Sequence, residues 1–400
     1  MKRNVLSENA IHGCTGCGMC ATVCKFDALT IQESEDGFYR PQIDGEACTD
    51  CGMCRKVCYR FDDAYGVMDE EDYLCYSAKN KSDKELKNAS SGAVSIELMR
   101  ECLARGYFVV GVAYDTEKER AVSRIAKTEV ELLAFRGSKY FQSDTAEAFR
   151  EVVADTSDQK YAIFGTPCQI YAFSKVADLK KKQEKYLLID IFCHGCPSLN
   201  LWDRYLESVK RKNKVDKFED ITFRSKTHGW HEYAIDFHAK GTSFSNSKYN
   251  DSFHELFFGK DAMNMACYDC IARSTVQKTD IRIGDFWGSR HDLDTEGISA
   301  VVLASERGKE VFEAVKEKFE TESASFREII SAQSYKKIHK CNVVRRERVL
   351  AMLKQGIKIE NVIKQYRKML PFSVNCKRTV KSMLKRLPSA VYLKIKTKLR

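Results

Sequence analysis

The 400-residue chain has no apolar stretch of membrane-spanning length. Its longest, such as Tyr107–Tyr114, fall well short of the ~20 residues that a bilayer-crossing helix needs, so no helical span is expected. The start shows no charged segment followed by an apolar run and a small-residue cleavage site, so no secretory leader is expected either. Proline is scarce, five in all, and two of them, Pro167 and Pro197, sit beside cysteines. Low-complexity segments are missing, and so is the glycine fingerprint of dinucleotide-binding folds. An apolar fraction of 44% and a mean hydropathy of −0.42 exclude a disordered chain. What the chain has in quantity is cysteine, 17 residues. A reduced cytosolic chain has little use for disulfides, so clustered cysteines point to metal or redox chemistry.

Charge is as unevenly placed as cysteine. From Ser331 to Arg400 there are 20 Lys and Arg against two acids, Glu347 and Glu360. The net +10 therefore combines an acidic body with a strongly basic tail. Composition divides the chain into a cysteine module at 1–65, a polar linker at 66–89, a main domain at 90–330 and a basic helical tail at 331–400. In the main domain, Ile96, Leu98, Met99 and Leu103 suit a helix and Tyr107–Tyr114 a buried strand. A helix near Thr145–Val153 and strands at Tyr161–Phe164 and Tyr186–Phe192 continue the alternation. That alternation predicts a mixed α/β domain with a partly parallel sheet. Ile221–Phe223, Tyr233–Phe237 and Thr242–Ser245 read as antiparallel strands, and Gly308–Phe319 as an amphipathic helix.

The one internal repeat is Cys14-x2-Cys17-x2-Cys20-x3-Cys24 followed by Cys48-x2-Cys51-x2-Cys54-x3-Cys58. Three cysteines at two-residue gaps wrap one corner of an iron–sulfur cubane. The fourth reaches the other cluster. Cys14, Cys17, Cys20 and Cys58 then hold one 4Fe–4S cluster, and Cys48, Cys51, Cys54 and Cys24 the second. A zinc module needs ligands in two pairs and fits two runs of four poorly. The fold expected for this module is that of bacterial dicluster ferredoxins, with one departure. The usual proline after the fourth cysteine is Lys25 in one run and Tyr59 in the other.

Three shorter motifs lie in the main domain: Gly165-Thr166-Pro167-Cys168-Gln169, Phe192-Cys193-His194-Gly195 and Cys267-x2-Cys270. The first two follow predicted strands, at the edge where open α/β sheets bind ligands. Cys168, Cys193, Cys267 and Cys270 supply the four thiolates of a third cluster. Other readings stand beside this one. Cys168 at a helix start suits an activated nucleophile, and Cys267 with Cys270 suits half a zinc site or a redox dithiol. Cys75, Cys102, Cys196, Cys341 and Cys376 read as apolar fillers, with Cys196 the natural substitute for Cys193.

Residues 90–288 resemble the coenzyme F-420 hydrogenase/dehydrogenase beta-subunit family. The resemblance rests on Ser90-Ser91-Gly92-Ala93, Arg136-Gly137-Ser138-Lys139-Tyr140, the three cysteine motifs and the Asp280–Gly288 stretch. It implies an iron–sulfur flavoprotein oxidoreductase with FAD beside the third cluster. Ser90, Ser91 and Gly92 would offer backbone amides to the FAD phosphates, and Arg136 and Lys139 the cations. Ordinary capping and a solvated turn are the bland alternatives. Thr166 and Gln169 would bond the flavin ring or steady the cluster loop. His194 stands as candidate proton donor, or as a hydrogen-bonded neighbour of the site. Asp285 and Trp287 suit a cavity wall or the core, and Arg224, His228 and Trp230 are further substrate candidates.

Function is accordingly expected to be electron relay between ferredoxin-type clusters and a flavin. The small-molecule substrate would be a deazaflavin such as coenzyme F-420 or a polysaccharide-biosynthesis intermediate. The alternative is a non-flavin electron-transfer subunit docking on a catalytic partner. Ferredoxin or a partner subunit is the expected redox partner, the cytoplasm the expected location, and nucleic acid is not expected as a ligand. In the tail, Val380, Met383, Leu384 and Leu387 with interleaved lysines form a basic amphipathic helix. It suits peripheral contact with the anionic inner face of a membrane, or packing on the acidic body.

Overall fold

The computed structural model describes residues 3–6, 13–62, 73–249 and 251–374. Its centre is a nine-stranded mixed sheet. Four neighbouring strands, Tyr107–Asp115, Lys160–Gly165, Tyr186–Ile191 and Ile281–Asp285, run parallel. Ser299–Leu303 then turns the sheet antiparallel. The central strands read as unbroken apolar runs because both faces are covered. Leu187 and Ile189 face a core built with Ile96, Leu98 and Met99 of helix Val94–Ala104 and Val311, Phe312 and Val315 of helix Glu306–Val315. Tyr186 and Leu188, one residue out of phase, face Phe149 and Val152 of helix Ala146–Ala154 and Ile170 and Phe173 of helix Pro167–Lys180.

The expected strands and helices of the main domain form, with two differences. The helix anticipated over Gly308–Phe319 stops at Val315, and Phe319 opens the strand Phe319–Ala324. The segment 66–89 is not simply a linker. Leu74–Asn80 forms a strand between Ser299–Leu303 and Phe319–Ala324, and Asp83–Lys87 forms a short helix capped by Ser82. Cys75, Ser77 and Ala78 are buried in that strand. Its polar alternation reads as linker in sequence, but the strand is enclosed by partners on both sides.

Asp220–Ser225, Ala234–Ala239 and Thr242–Ser247 form the expected antiparallel sheet. It packs against helix Leu199–Asn213, helix Ser252–Gly259 and two tail helices, Val343–Lys354 and Ile359–Met369, around Trp202, Phe223, Phe237 and Phe253. The tail helices dock by Val349, Leu353, Val362 and Tyr366. Arg345 pairs with Asp261 at 2.7 Å, Arg367 with Glu255 at 2.8 Å, and Lys354 with Glu35. These two helices are packed on the body. The amphipathic stretch Val380–Leu387 lies outside the described residues, as does Cys376.

The cysteine module, with its hairpin Leu29–Glu33 and Tyr39–Ile43, is set into the body rather than tethered to it. Met19 and Val57 belong to the core under the main sheet. Gln142 accepts from the Tyr39 amide and donates to the Thr15 carbonyl, and Thr145 Oγ1 donates to the Cys17 carbonyl. No described helix is long and apolar enough to cross a membrane.

Candidate functional site

Each half of the repeat builds the same local structure. Gly18 and Gly52, both at positive φ (81° and 78°), precede four-residue helices that carry the third cysteine of each run. A Cβ at Gly18 would lie 2.1 Å from Thr145 Oγ1, so glycine is required there both by φ and by the body's close approach. Seven of the eight cysteines are partly buried and Cys51 is exposed. Burial pushes the Cys17 thiol up to about 11 and Cys58 to about 12, and neighbouring thiolates add to both shifts. Cys20 is raised further by burial and by Cys17, Cys14 and Cys58. Cys54 acts on Cys20 too, so cysteines of both runs stand together around it. Thiolates brought together would repel one another, and a cationic cluster core would offset that repulsion.

The second cysteine group converges as well. Cys168 lies at the start of helix Pro167–Lys180, Cys193 follows strand Tyr186–Ile191, and Cys267 and Cys270 flank a short turn. Burial pushes Cys193 up to about 12, helped by Cys267 and Cys270. Cys168 is raised well above its ordinary value, first by burial and then by Cys270, Cys17 and Cys193. The activated-nucleophile reading of Cys168 needs a lowered pKa and runs against that direction. Cys196 is not a filler: its thiol hydrogen-bonds Cys267 and pulls that pKa down, so five thiols share the site. Cys75 and Cys102 are buried in the apolar core, as expected.

Both groups open onto one cavity of about 600 Å³, lined by Cys17, Cys168, Cys193 and Cys196 on one side. It lies at the C-terminal edge of the parallel strands. Ser90, Ser91, Arg136, Lys139, Thr166, Gln169, His194, Arg224, Asp285 and Trp287 all line it. Gly92 does not. Its amide donates to Ser299 Oγ, and a Cβ there would lie 2.1 Å from the Ala78 carbonyl. Gly92 is a packing glycine, not part of a phosphate cradle.

The roles of the others are sharper than the sequence allows. Ser91 Oγ donates to the Ile298 carbonyl, and Ser90 Oγ accepts from the Ser138 amide. Helix Val94–Ala104 starts four residues beyond Ser90, behind Ala93 at φ 62°. Thr166 and Gln169 form the capping box of helix Pro167–Lys180, and Thr166 Oγ1 lies 3.2 Å from Cys168 Sγ. They steady the cysteine loop. Arg136 pairs with Glu85. The Lys139 ammonium donates to the carbonyls of Ala134 and Arg136, and burial lowers its pKa to about 7.

His194 stands as a hydrogen-bonded neighbour of the site, and burial, then His339, Lys260 and Arg273, lower its pKa to about 3. Its Nδ1 pairs with Ser334 Oγ at 3.2 Å, and Nε2 is buried with no partner. Asp285 takes both Arg224 terminal nitrogens at 2.9 Å and Trp230 Nε1 at 2.6 Å. Trp230 stacks on Trp287 at 4.8 Å between centroids. His228 is exposed and apart from the cavity. The sequence reading missed Tyr233, Lys248, Phe257 and Phe258, which close the far wall. Lys248 Nζ sits 4.3 Å from the Tyr233 ring centroid. Nothing in their local sequence marks them, because the helix and loop that carry them reach the site only through tertiary packing.

The cavity has the volume of a cofactor site, with Arg136 and Lys139 in its lining, aromatic side chains and an unpartnered buried imidazole nitrogen. Fold and site together define an iron–sulfur protein of the oxidoreductase class. Residues 13–60 match the 4Fe-4S dicluster domain. Residues 75–150 and 158–329 match the N-terminal and C-terminal parts of the coenzyme F420 hydrogenase/dehydrogenase beta subunit. The chain belongs to the coenzyme F420 hydrogenase/dehydrogenase beta-subunit family, with a dicluster domain in front. It is 32% identical over 121 residues to coenzyme F420 hydrogenase subunit beta of Methanococcus voltae, spanning 28% of this chain and 42% of that relative's length. A chain of the F420-reducing [NiFe] hydrogenase complex from Methanosarcina barkeri is 18% identical, with a TM-score of 0.45 over 75% of this chain and 94% of its own.

Proposed function

We propose that this chain is an iron–sulfur flavoprotein relaying electrons between its cysteine-bound clusters and an FAD seated in the cavity. The onward partner is a small molecule, a deazaflavin or a polysaccharide-biosynthesis intermediate, and the supplier of electrons is ferredoxin or a partner subunit. One observation carries this reading: a single cavity is lined by Cys17 of the first run, by Cys168 and Cys193 of the third set, and by most of the flavin-binding candidates. Bound there, FAD supplies exchange of electron pairs with substrate and of single electrons with clusters.

The chain's own residues supply position and electrostatics. Lys139, held by the Ala134 and Arg136 carbonyls, and Arg136, charge-balanced by Glu85, stand in the cavity lining. Arg224, fixed by Asp285 and Tyr140, keeps a permanent positive charge against the wall. His194, neutral, offers Nε2 as a hydrogen-bonding partner to whatever occupies the cavity. Phe257, Phe258 and Trp287 give the cavity aromatic surface.

A second reading, a flavin-free electron carrier docking on a catalytic partner, draws on the internal engagement of Ser91, Gly92, Thr166 and Gln169. Anaerobic purification with iron and flavin analysis separates the two. About one FAD and about twelve irons per chain are expected. No flavin after full reconstitution overturns the first reading in favour of the second.

A further inference from the structure

Tyr59, which stands where dicluster ferredoxins usually carry proline, does work that proline would not. Cys58 has φ −82° and ψ 113°, the extended geometry that precedes proline, and Tyr59 opens a 3-10 turn, Tyr59–Phe61. The backbone therefore accepts proline, and the tyrosine is there for its ring. That ring is 1% exposed. It stacks on Tyr171 of helix Pro167–Lys180, with centroids 5.2 Å apart and planes 26° from parallel. The two rings pack with Ala272 against Cys168 and Cys270. One helical turn beyond Tyr171, Lys175 Nζ meets Asp62 Oδ2 at 2.9 Å.

Cys168, Tyr171 and Lys175 share one face of the helix, at spacings of three and four residues. That single face presents a thiol of the third set, an aromatic contact and an ion pair to residues 58–62 of the ferredoxin module. The electrostatic contact of Cys168 with Cys17 marks the same junction from the other side. We infer that the Tyr59–Tyr171 stack, braced by Lys175–Asp62, is the joint that sets the spacing between the first ferredoxin cluster and the third cysteine set. Tyr59 and Tyr171 are positioning residues: they ligate nothing and fix the interval that an electron has to cross. This rests on the proposal that Cys168, Cys193, Cys267 and Cys270 hold a cluster.

The test is electron paramagnetic resonance of the fully reduced holoprotein, with iron counted on each sample. The part of the spin–spin broadening that disappears in Cys270→Ser is the interaction between first and third clusters. Tyr59→Pro and Tyr171→Leu are expected to keep full iron and lose that same part. Tyr59→Phe, which keeps the ring, is expected to retain it. Full iron with unchanged broadening in both Tyr59→Pro and Tyr171→Leu overturns the joint. Loss of iron in both, with Lys175→Met normal, also counts against it, since the rings would then be holding a cluster together. If Cys270→Ser changes neither iron nor spectrum, the third-cluster reading itself falls, which is a separate outcome.

Discussion

Arg282, in the Asp280–Gly288 stretch, is a charged side chain held wholly inside the fold. It is fully buried, and its Nε and Nη2 meet both oxygens of Asp190 at 2.7 and 2.6 Å. Burial alone would lower its pKa, but Asp190 reverses this and raises it. The same side chain donates to the carbonyls of Arg273 at 2.7 Å and Thr275 at 3.1 Å, just beyond Cys270. Arg282→Leu strands the Asp190 carboxylate, 2% exposed, at a cost of about 3–5 kcal/mol. That is about a hundredfold to several thousandfold in the folded-to-unfolded ratio. It also frees the turn behind Cys270. Anaerobic urea unfolding, followed by tryptophan fluorescence, measures the loss, and iron analysis reports the cysteine site. Removing the stranded charge as well, in Asp190→Leu with Arg282→Leu, is expected to recover part of the stability. A single variant within about 1 kcal/mol of the parent, or a double variant no more stable than the single, refutes the reasoning.

Gly92→Ala forces a methyl to 2.1 Å from the Ala78 carbonyl. Backbone cannot yield as a side chain can, so a loss of at least about 1–3 kcal/mol is expected in the same unfolding assay. Lys226 donates to the Leu86 and Ser91 carbonyls, and burial, then Arg224, lowers its pKa from 10.5 to about 8. Between pH 8 and 10.5 the unfolded chain binds more protons at this site, so this contribution to stability rises with pH across that window. Comparing thermal midpoints across that window, Lys226→Met is expected to lack the rise, and an identical slope in both proteins refutes it. Cys168→Ser is expected to remove about four irons per chain and leave the two ferredoxin-type clusters. Cys196→Ser is expected to keep all of them, and the reverse result would move Cys196 into the ligand set.

Much of this site was legible because its chemistry lies in short motifs at strand ends. The repeat of cysteines, the placement of Cys168 and Cys193 after strands, and the parallel order of those strands follow from spacing and apolar runs. Gly92 was misassigned because a packing glycine and a phosphate-loop glycine look alike in sequence, and only the 2.1 Å approach to Ala78 separates them. Which of its two readings His194 takes depends on His339, Lys260 and Arg273, which come from distant segments. The strand Leu74–Asn80 was hidden by its polar residues. It derives its stability from partners more than 200 residues away rather than from its own pattern.

The parallel strands leave the sheet with two unlike margins. Their C-terminal ends carry the cavity, so a lengthened loop there reaches the chemistry. Their N-terminal ends are approached through 156–158 and 181–184, all exposed and on the opposite margin. An insertion at either place meets solvent and leaves the cavity wall untouched. The molecule thus offers a free side on which handles, linkers or further modules attach without retuning the redox centre, and a committed side where one residue more or less is a change of function.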